Sequence, residues 1–218
     1  RSLSLYRAGG IDRVLYPELA ELPDEQWNAV LGVVEALPLG RPMLRLAALL
    51  RPVEPAAAAA LLVRLRLSNA ETDAVAHLAA APELPDSGAS RGELRRWLSR
   101  HGVTVMRGVA RLDLASARAS SASCDPRDVV EKWRAIRTEL RTAPPLAIGD
   151  LTIDGRDLMR LGLKPGPVFK EVLGALLDWV LEDPTRNERE RLLLRAEHVA
   201  GELEATGGGG QASERGAR

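Results

Sequence analysis

The sequence predicts an all-helical protein, on three observations. Only seven of the 218 residues are aromatic (Tyr6, Tyr16, Trp27, Trp97, Trp133, Phe169 and Trp179). The core must therefore be built from Leu, Val and Ala, whereas strands favour β-branched and aromatic residues. Apolar residues recur at three- and four-residue spacing, and no segment alternates convincingly with period two. Prolines, glycines and capping residues punctuate the chain at helix-length intervals.

Taken in order, residues 3–8 read as the end of a helix cut by Gly9 and Gly10. Ile11, Val14 and Leu15 form a short amphipathic turn closed by Pro17. Asp24 is expected to cap a helix with Trp27, Val30, Leu31, Val34 and Leu37 on one stripe, stopped by Pro38 and Gly40. Residues 43–50 make a short, almost wholly apolar helix ended by Pro52, and the Ala-rich stretch 54–65 is strongly helical. Ser68 and Glu71 form a capping box that opens a helix to about Ala81. Residues 82–89 carry two prolines, an Asp and a Gly-containing turn, and a domain boundary is placed there.

Ser90 and Glu93 form a second capping box, and Gly102 ends that helix after Arg100 and His101. A helix over 103–119 buries Val105, Val109 and Leu112. Residues 120–124 are expected to be a loop. Asp125 then caps a helix with Pro126 at its first position and Val129, Val130, Trp133, Ile136 and Leu140 along it. Asp154 caps a brief helix ending at Gly162, and the turn Lys164-Pro165-Gly166-Pro167 leads into a long helix through Trp179. Pro184 breaks that helix, residues 187–204 form the last one, and the tail from 206 is expected to be disordered. The domains expected are 1–85, 86–205 and the tail 206–218.

Composition and charge exclude several function classes. Hydrophobic residues make up 45% and charged residues 28%, too apolar for a disordered chain. Lys+Arg and Asp+Glu tie at 30 each, so no global field announces a nucleic-acid or membrane partner. The longest uncharged apolar run, residues 55–63, is too short to span a bilayer. One cysteine, Cys124, fits neither a disulfide scaffold nor a Cys-rich zinc site and suits a reducing, cytoplasmic setting. His77, His101 and His198 stand far apart and form no metal-ligand motif. There is no Gly-rich phosphate loop, and no stretch reads as an active site. The chain starts at Arg1 without a signal-peptide pattern and reads as a piece of a longer chain.

Local charge is more informative than the total. Residues 91–141 hold 12 basic and 6 acidic side chains, a net of +6, while the segments on either side each carry −3. This block contains Arg91, Arg95, Arg96, Arg100, Arg107, Arg111 and Arg118 and the helix after them. Such a face suits a phosphate backbone, because each contact releases condensed counterions. It equally suits a solvated helix face with intrahelical pairs such as Glu93 with Arg96.

Two stretches carry a family resemblance. The first is Leu44-Arg45-Leu46-Ala47-Ala48-Leu49-Leu50, followed by Arg64-Leu65-Arg66-Leu67-Ser68-Asn69-Ala70-Glu71. The second, more specific, runs from Leu151-Thr152-Ile153-Asp154-Gly155-Arg156-Asp157-Leu158 through Met159-Arg160-Leu161-Gly162-Leu163 to Lys164-Pro165-Gly166-Pro167. Both resemble the carboxyl-terminal half of bacterial tRNA nucleotidyltransferases, the CCA-adding enzymes and their poly(A) polymerase relatives. Tyr16-Pro17-Glu18-Leu19 is similar to the family's segment after the neck.

The resemblance implies an all-α body and tail of a class II nucleotidyltransferase-like protein, without the catalytic α/β head. It implies tRNA as partner and no membrane. The head, as a separate polypeptide or an amino-terminal region, would hold magnesium and CTP or ATP, so no catalytic or metal residue carries over. The chain would be the tRNA-gripping half of a CCA-adding enzyme; a poly(A) polymerase relative and a non-catalytic helical adaptor are the alternatives. Where some relatives have a His-Asp metal pair, this chain has Arg51 and Pro52, which does not support phosphohydrolase activity. The residues expected to contact RNA are Arg95, Arg96, Arg100, Arg107 and Arg111, with Lys164 and Lys170 beside the Pro-Gly-Pro turn. Asp154, Gly155, Gly162, Pro165 and Gly166 are expected to make turns.

Overall fold

The computed structural model describes residues 2–119 and 125–207. The expected loop with Cys124 lies outside the described residues; the tail expected from 206 is corrected at its start, since the last helix runs on to Gly207, and the rest of it, from 208, lies outside the described residues. Every regular element among the described residues is helical: α1 (Ser2–Ala8), α2 (Asp12–Leu15), α3 (Pro17–Ala20), α4 (Asp24–Ala36), α5 (Pro42–Leu50), α6 (Pro55–Arg64), α7 (Asn69–Ala80), α8 (Arg91–Ala119), α9 (Pro126–Leu140), α10 (Gly155–Arg160), α11 (Pro167–Glu182) and α12 (Arg189–Gly207), with 3₁₀ turns at Ile148–Asp150 and Pro184–Arg186. The all-α class is as the sequence predicts. No helix among the described residues is long and apolar enough to cross a membrane.

The chain divides into two compact units, Arg1–Gly88 with His101–Arg137, and Ala89–Arg100 with Thr138–Arg218. The Pro-rich stretch 82–89 therefore holds only the first passage between them. A second falls beside Gly102, whose φ of 81° and ψ of 159° interrupt α8, and a third falls inside α9.

In the first unit, α3 to α7 close around Leu19, Trp27, Ala47, Leu50, Leu61, Leu62 and Val75. A neighbouring cluster joins Val30, Val34 and Leu37 to Leu44, Ala48, Leu112 and Ala115. The Ala positions are where helices approach closely with little side-chain volume between them. The capping box expected at Ser68 and Glu71 is present, and α6 has a cap that the sequence reading did not assign: Glu54 accepts from the N–H groups of Ala56 and Ala57.

Two local expectations are corrected. Asp24 is not the cap of α4; Pro23 holds that position, and Asp24 instead takes the Arg7 guanidinium at 2.6 Å. Ile11, Val14 and Leu15 do not turn a buried stripe inward: they are exposed, and Asp12 is the buried residue of α2. A four-residue helix makes only about one turn, and in α2 that turn places Asp12 inward.

The second unit has its own core of Leu151, Ile153, Leu158, Val172, Leu176, Val180, Leu192, Ala196 and Val199. The motif around residues 151–158 is thus mainly architectural. Asp154 caps α10 by accepting from the N–H groups of Arg156 and Asp157, and Asp157 closes the box. A Cβ on Gly155 would lie 3.3 Å from the Phe169 ring, so glycine lets α10 meet α11 closely. Gly162, at φ 88°, ends the segment in a conformation that favours glycine.

Candidate nucleic-acid interface

The residues expected to contact RNA fall in both units. Arg107 and Arg111 belong to the first; Arg95, Arg96, Arg100, Lys164 and Lys170 belong to the second. Lys170 stands on the first turns of α11, about 18 Å along the helix from Glu182, to which Arg96 is tied. The second unit thus spreads its cations along its elements.

Arg95 is corrected outright. It is only 5% exposed, and its Nε–H donates to Glu139 Oε1 at 2.5 Å while Nη1 donates to the carbonyl oxygens of Leu181 and Glu182 at 3.0 and 3.1 Å. These bonds are made inside the protein, as a buried guanidinium must be paired to offset desolvation. Arg96 is not held by Glu93: the Glu93 carboxylate accepts from the Ser90 N–H in the capping box, and Arg96 donates to Glu182. Arg100, Lys164 and Lys170 are exposed.

Elsewhere in that unit the buried Asp157 accepts from Arg160 at 3.0 Å and from both terminal nitrogens of Arg189. The Arg189 guanidinium holds the Asp157 carboxyl below the usual aspartate range. These arginines also serve the fold.

In the first unit the charges segregate by face. Lys132 lies between Asp86 and Asp128, at 3.1 and 3.2 Å, and lines a cavity of about 470 Å³ with Glu83 and Asp113. Asp113 accepts from Arg51 at 3.0 Å and from the Leu84 N–H at 3.2 Å. Burial nevertheless pushes its carboxyl above the usual range. With Glu83, Asp113 and Asp128 against Lys132 in its lining, that cavity does not suit phosphate.

The other faces of α8 and α9 are different. On α8, Met106, Val109, Leu112 and Ala115 turn inward, leaving Arg107, Arg111 and Arg118 exposed on the opposite side. On α9, Arg127 and Arg134 lie seven residues apart on the side away from Lys132. The two helices run antiparallel here: Arg107 and Arg111 line a cleft of about 180 Å³ with Val130 and Trp133, and Arg118 lines the next cleft with Arg127, Glu131 and Arg134. Leu114 and Val130 line both clefts, so the two adjoin. Arg111 donates to the Arg107 carbonyl oxygen at 2.9 Å. Among the described residues no carboxylate is ion-paired with Arg107, Arg111, Arg118 or Arg127.

Sequence reasoning placed Arg118 in the basic block without assigning it to the site, and missed Arg127, Arg134 and Trp133. Their seven-residue spacings, 111 to 118 and 127 to 134, were the available signal. His77 and His101, far apart in sequence, meet at 3.4 Å between ring nitrogens. Among the described residues no group of three or more His, Cys, Asp or Glu could hold a metal ion.

A family model described as tRNA nucleotidyltransferase domain 2 matches residues 44–196. No curated protein and no solved structure matches the chain.

Proposed function

The chain belongs to the tRNA nucleotidyltransferase domain 2 family, and from that premise we propose that it grips the tRNA backbone during nucleotide addition to the 3′ end by a CCA-adding head. The observation that carries this is the continuous arginine face of α8 and α9. Arg107, Arg111, Arg118 and Arg127 are exposed there around two joined clefts. Guanidinium forks match phosphate oxygens and cannot lose their charge. Backbone contacts of this kind position an RNA without reading its sequence. Arg95 takes no part.

The test is the salt dependence of tRNA binding. Each arginine that releases a counterion contributes about 0.7–0.9 to the slope of log affinity against log salt. The Arg118→Ala, Arg127→Ala double variant should bind tRNA more weakly and with a slope smaller by one to two. Wild-type affinity and slope in a folded variant would refute the assignment. A chain that binds heparin as tightly as tRNA, whatever the arginines, would instead be a helical adaptor.

A further inference from the structure

We propose that the cleft between Arg107, Arg111 and Trp133 takes one unpaired nucleobase of the bound RNA, stacked on Trp133, with its flanking phosphates on the arginines. The proposal rests on the tRNA-binding reading of the same face and names the part of the RNA that enters it.

The cleft combines two chemistries in about 180 Å³: an apolar floor of Leu114, Val130 and Trp133, and a rim of Arg107 and Arg111. Val130 is 37% exposed although it lies midway along a strongly patterned helix. Trp27 and Trp179 are used differently. Each packs into a core and carries a guanidinium over its ring, Arg7 at 4.9 Å and Arg186 at 5.1 Å. Trp133 instead lines an open cleft.

A phosphate alone would use the rim and leave the floor wet. A double helix keeps its base faces stacked and unavailable, so it too would engage only the rim. An apolar peptide would have to lie among uncompensated arginines. An unpaired nucleotide satisfies both parts, because every base has a π-face and carries its own phosphates. The space suits one heterocycle. The adjoining cleft continues the path to Arg118, about 17 Å along α8 from Arg107, where further phosphates would be met.

The experiment compares the full chain with its Trp133→Leu and Trp133→Phe variants. The probes are a tRNA transcript and a blunt RNA duplex of equal charge. Trp133→Leu should weaken tRNA binding on the order of tenfold while leaving duplex affinity and the salt slope unchanged. Trp133→Phe, which keeps a ring, should retain most of the affinity.

Equal loss on both probes, or no loss on tRNA, overturns the nucleobase assignment. The backbone-gripping reading survives that result if the Arg118, Arg127 variant still loses slope. Should Trp133→Leu not fold, crosslinking of the wild-type chain to a tRNA transcript carrying 4-thiouridine decides the matter. A crosslink from an unpaired uridine to the α9 peptide holding Trp133 supports the site; crosslinks elsewhere only would overturn it.

Discussion

Glu139 Oε1 accepts from the Nε–H of Arg95 at 2.5 Å, and both side chains are buried. The pair joins the first segment of α8 to the end of α9, and the arginine Nη1 donates to the last carbonyls of α11, at Leu181 and Glu182. One side chain thus ties three helices of the second unit. It occupies the position that the basic block alone would assign to an RNA contact.

Arg95→Ala should therefore act on stability. Removing Arg95 leaves the buried Glu139 with only the exposed Arg91, 3.8 Å away, and costs up to about 3–5 kcal/mol, whereas the Arg95→Met, Glu139→Leu double variant should lose far less. Urea unfolding measures both. The double variant, if folded, should keep the wild-type salt slope for tRNA, since no phosphate contact has been removed.

Arg51 and Asp113 make the pH-dependent counterpart. Burial holds the Asp113 carboxyl above its unfolded value even with Arg51 beside it. A carboxyl raised in the folded state penalises folding above its folded pKa, and the penalty is relieved as pH falls through that value. Arg51→Met removes the compensating charge, so it should destabilise the protein at neutral pH by about 2 kcal/mol. Part of that loss should return on acidification, and Arg51→Met with Asp113→Asn should show no such recovery. Unfolding midpoints across the acid range give the result directly.

Gly102 tests whether the interruption of α8 is intrinsic. Its φ of 81° with ψ of 159° lies in a region open essentially to glycine. A Cβ there meets no neighbouring atom within 4 Å, so strain and not collision sets the cost. Gly102→Ala should destabilise by about 1–3 kcal/mol, although alanine gains about 1 kcal/mol over glycine inside a regular helix. A rise in melting temperature would mean that the helix straightens at this point without penalty.

Much of the fold was legible because its signals are local. Capping boxes at Ser68/Glu71 and Ser90/Glu93, Pro126 after Asp125, and Gly102 and Gly162 as stops all depend on residues within one turn of each other. Asp24 is not the cap because it is already the first residue of α4, behind Pro23, and its carboxylate meets Arg7 of α1. The site was half legible. Arg107 and Arg111 lie on the exposed face of α8 by simple periodicity, and the net charge of residues 91–141 drew attention to the right stretch.

The sequence by itself determined the helical class, the start and stop of most helices, and the family, since these rest on short-range stereochemistry and on motif residues that cap and pack. Tertiary structure alone decided which arginines are free. Arg95 and Arg107 look alike in sequence, yet a carboxylate 44 residues away and two carbonyl groups near 182 consume the first. Lys132 is likewise neutralised by Asp86 and Asp128, while Trp133, its neighbour, is left lining an arginine-rimmed cleft. Which charges are compensated depends on what other segments bring to them, and no local pattern encodes that.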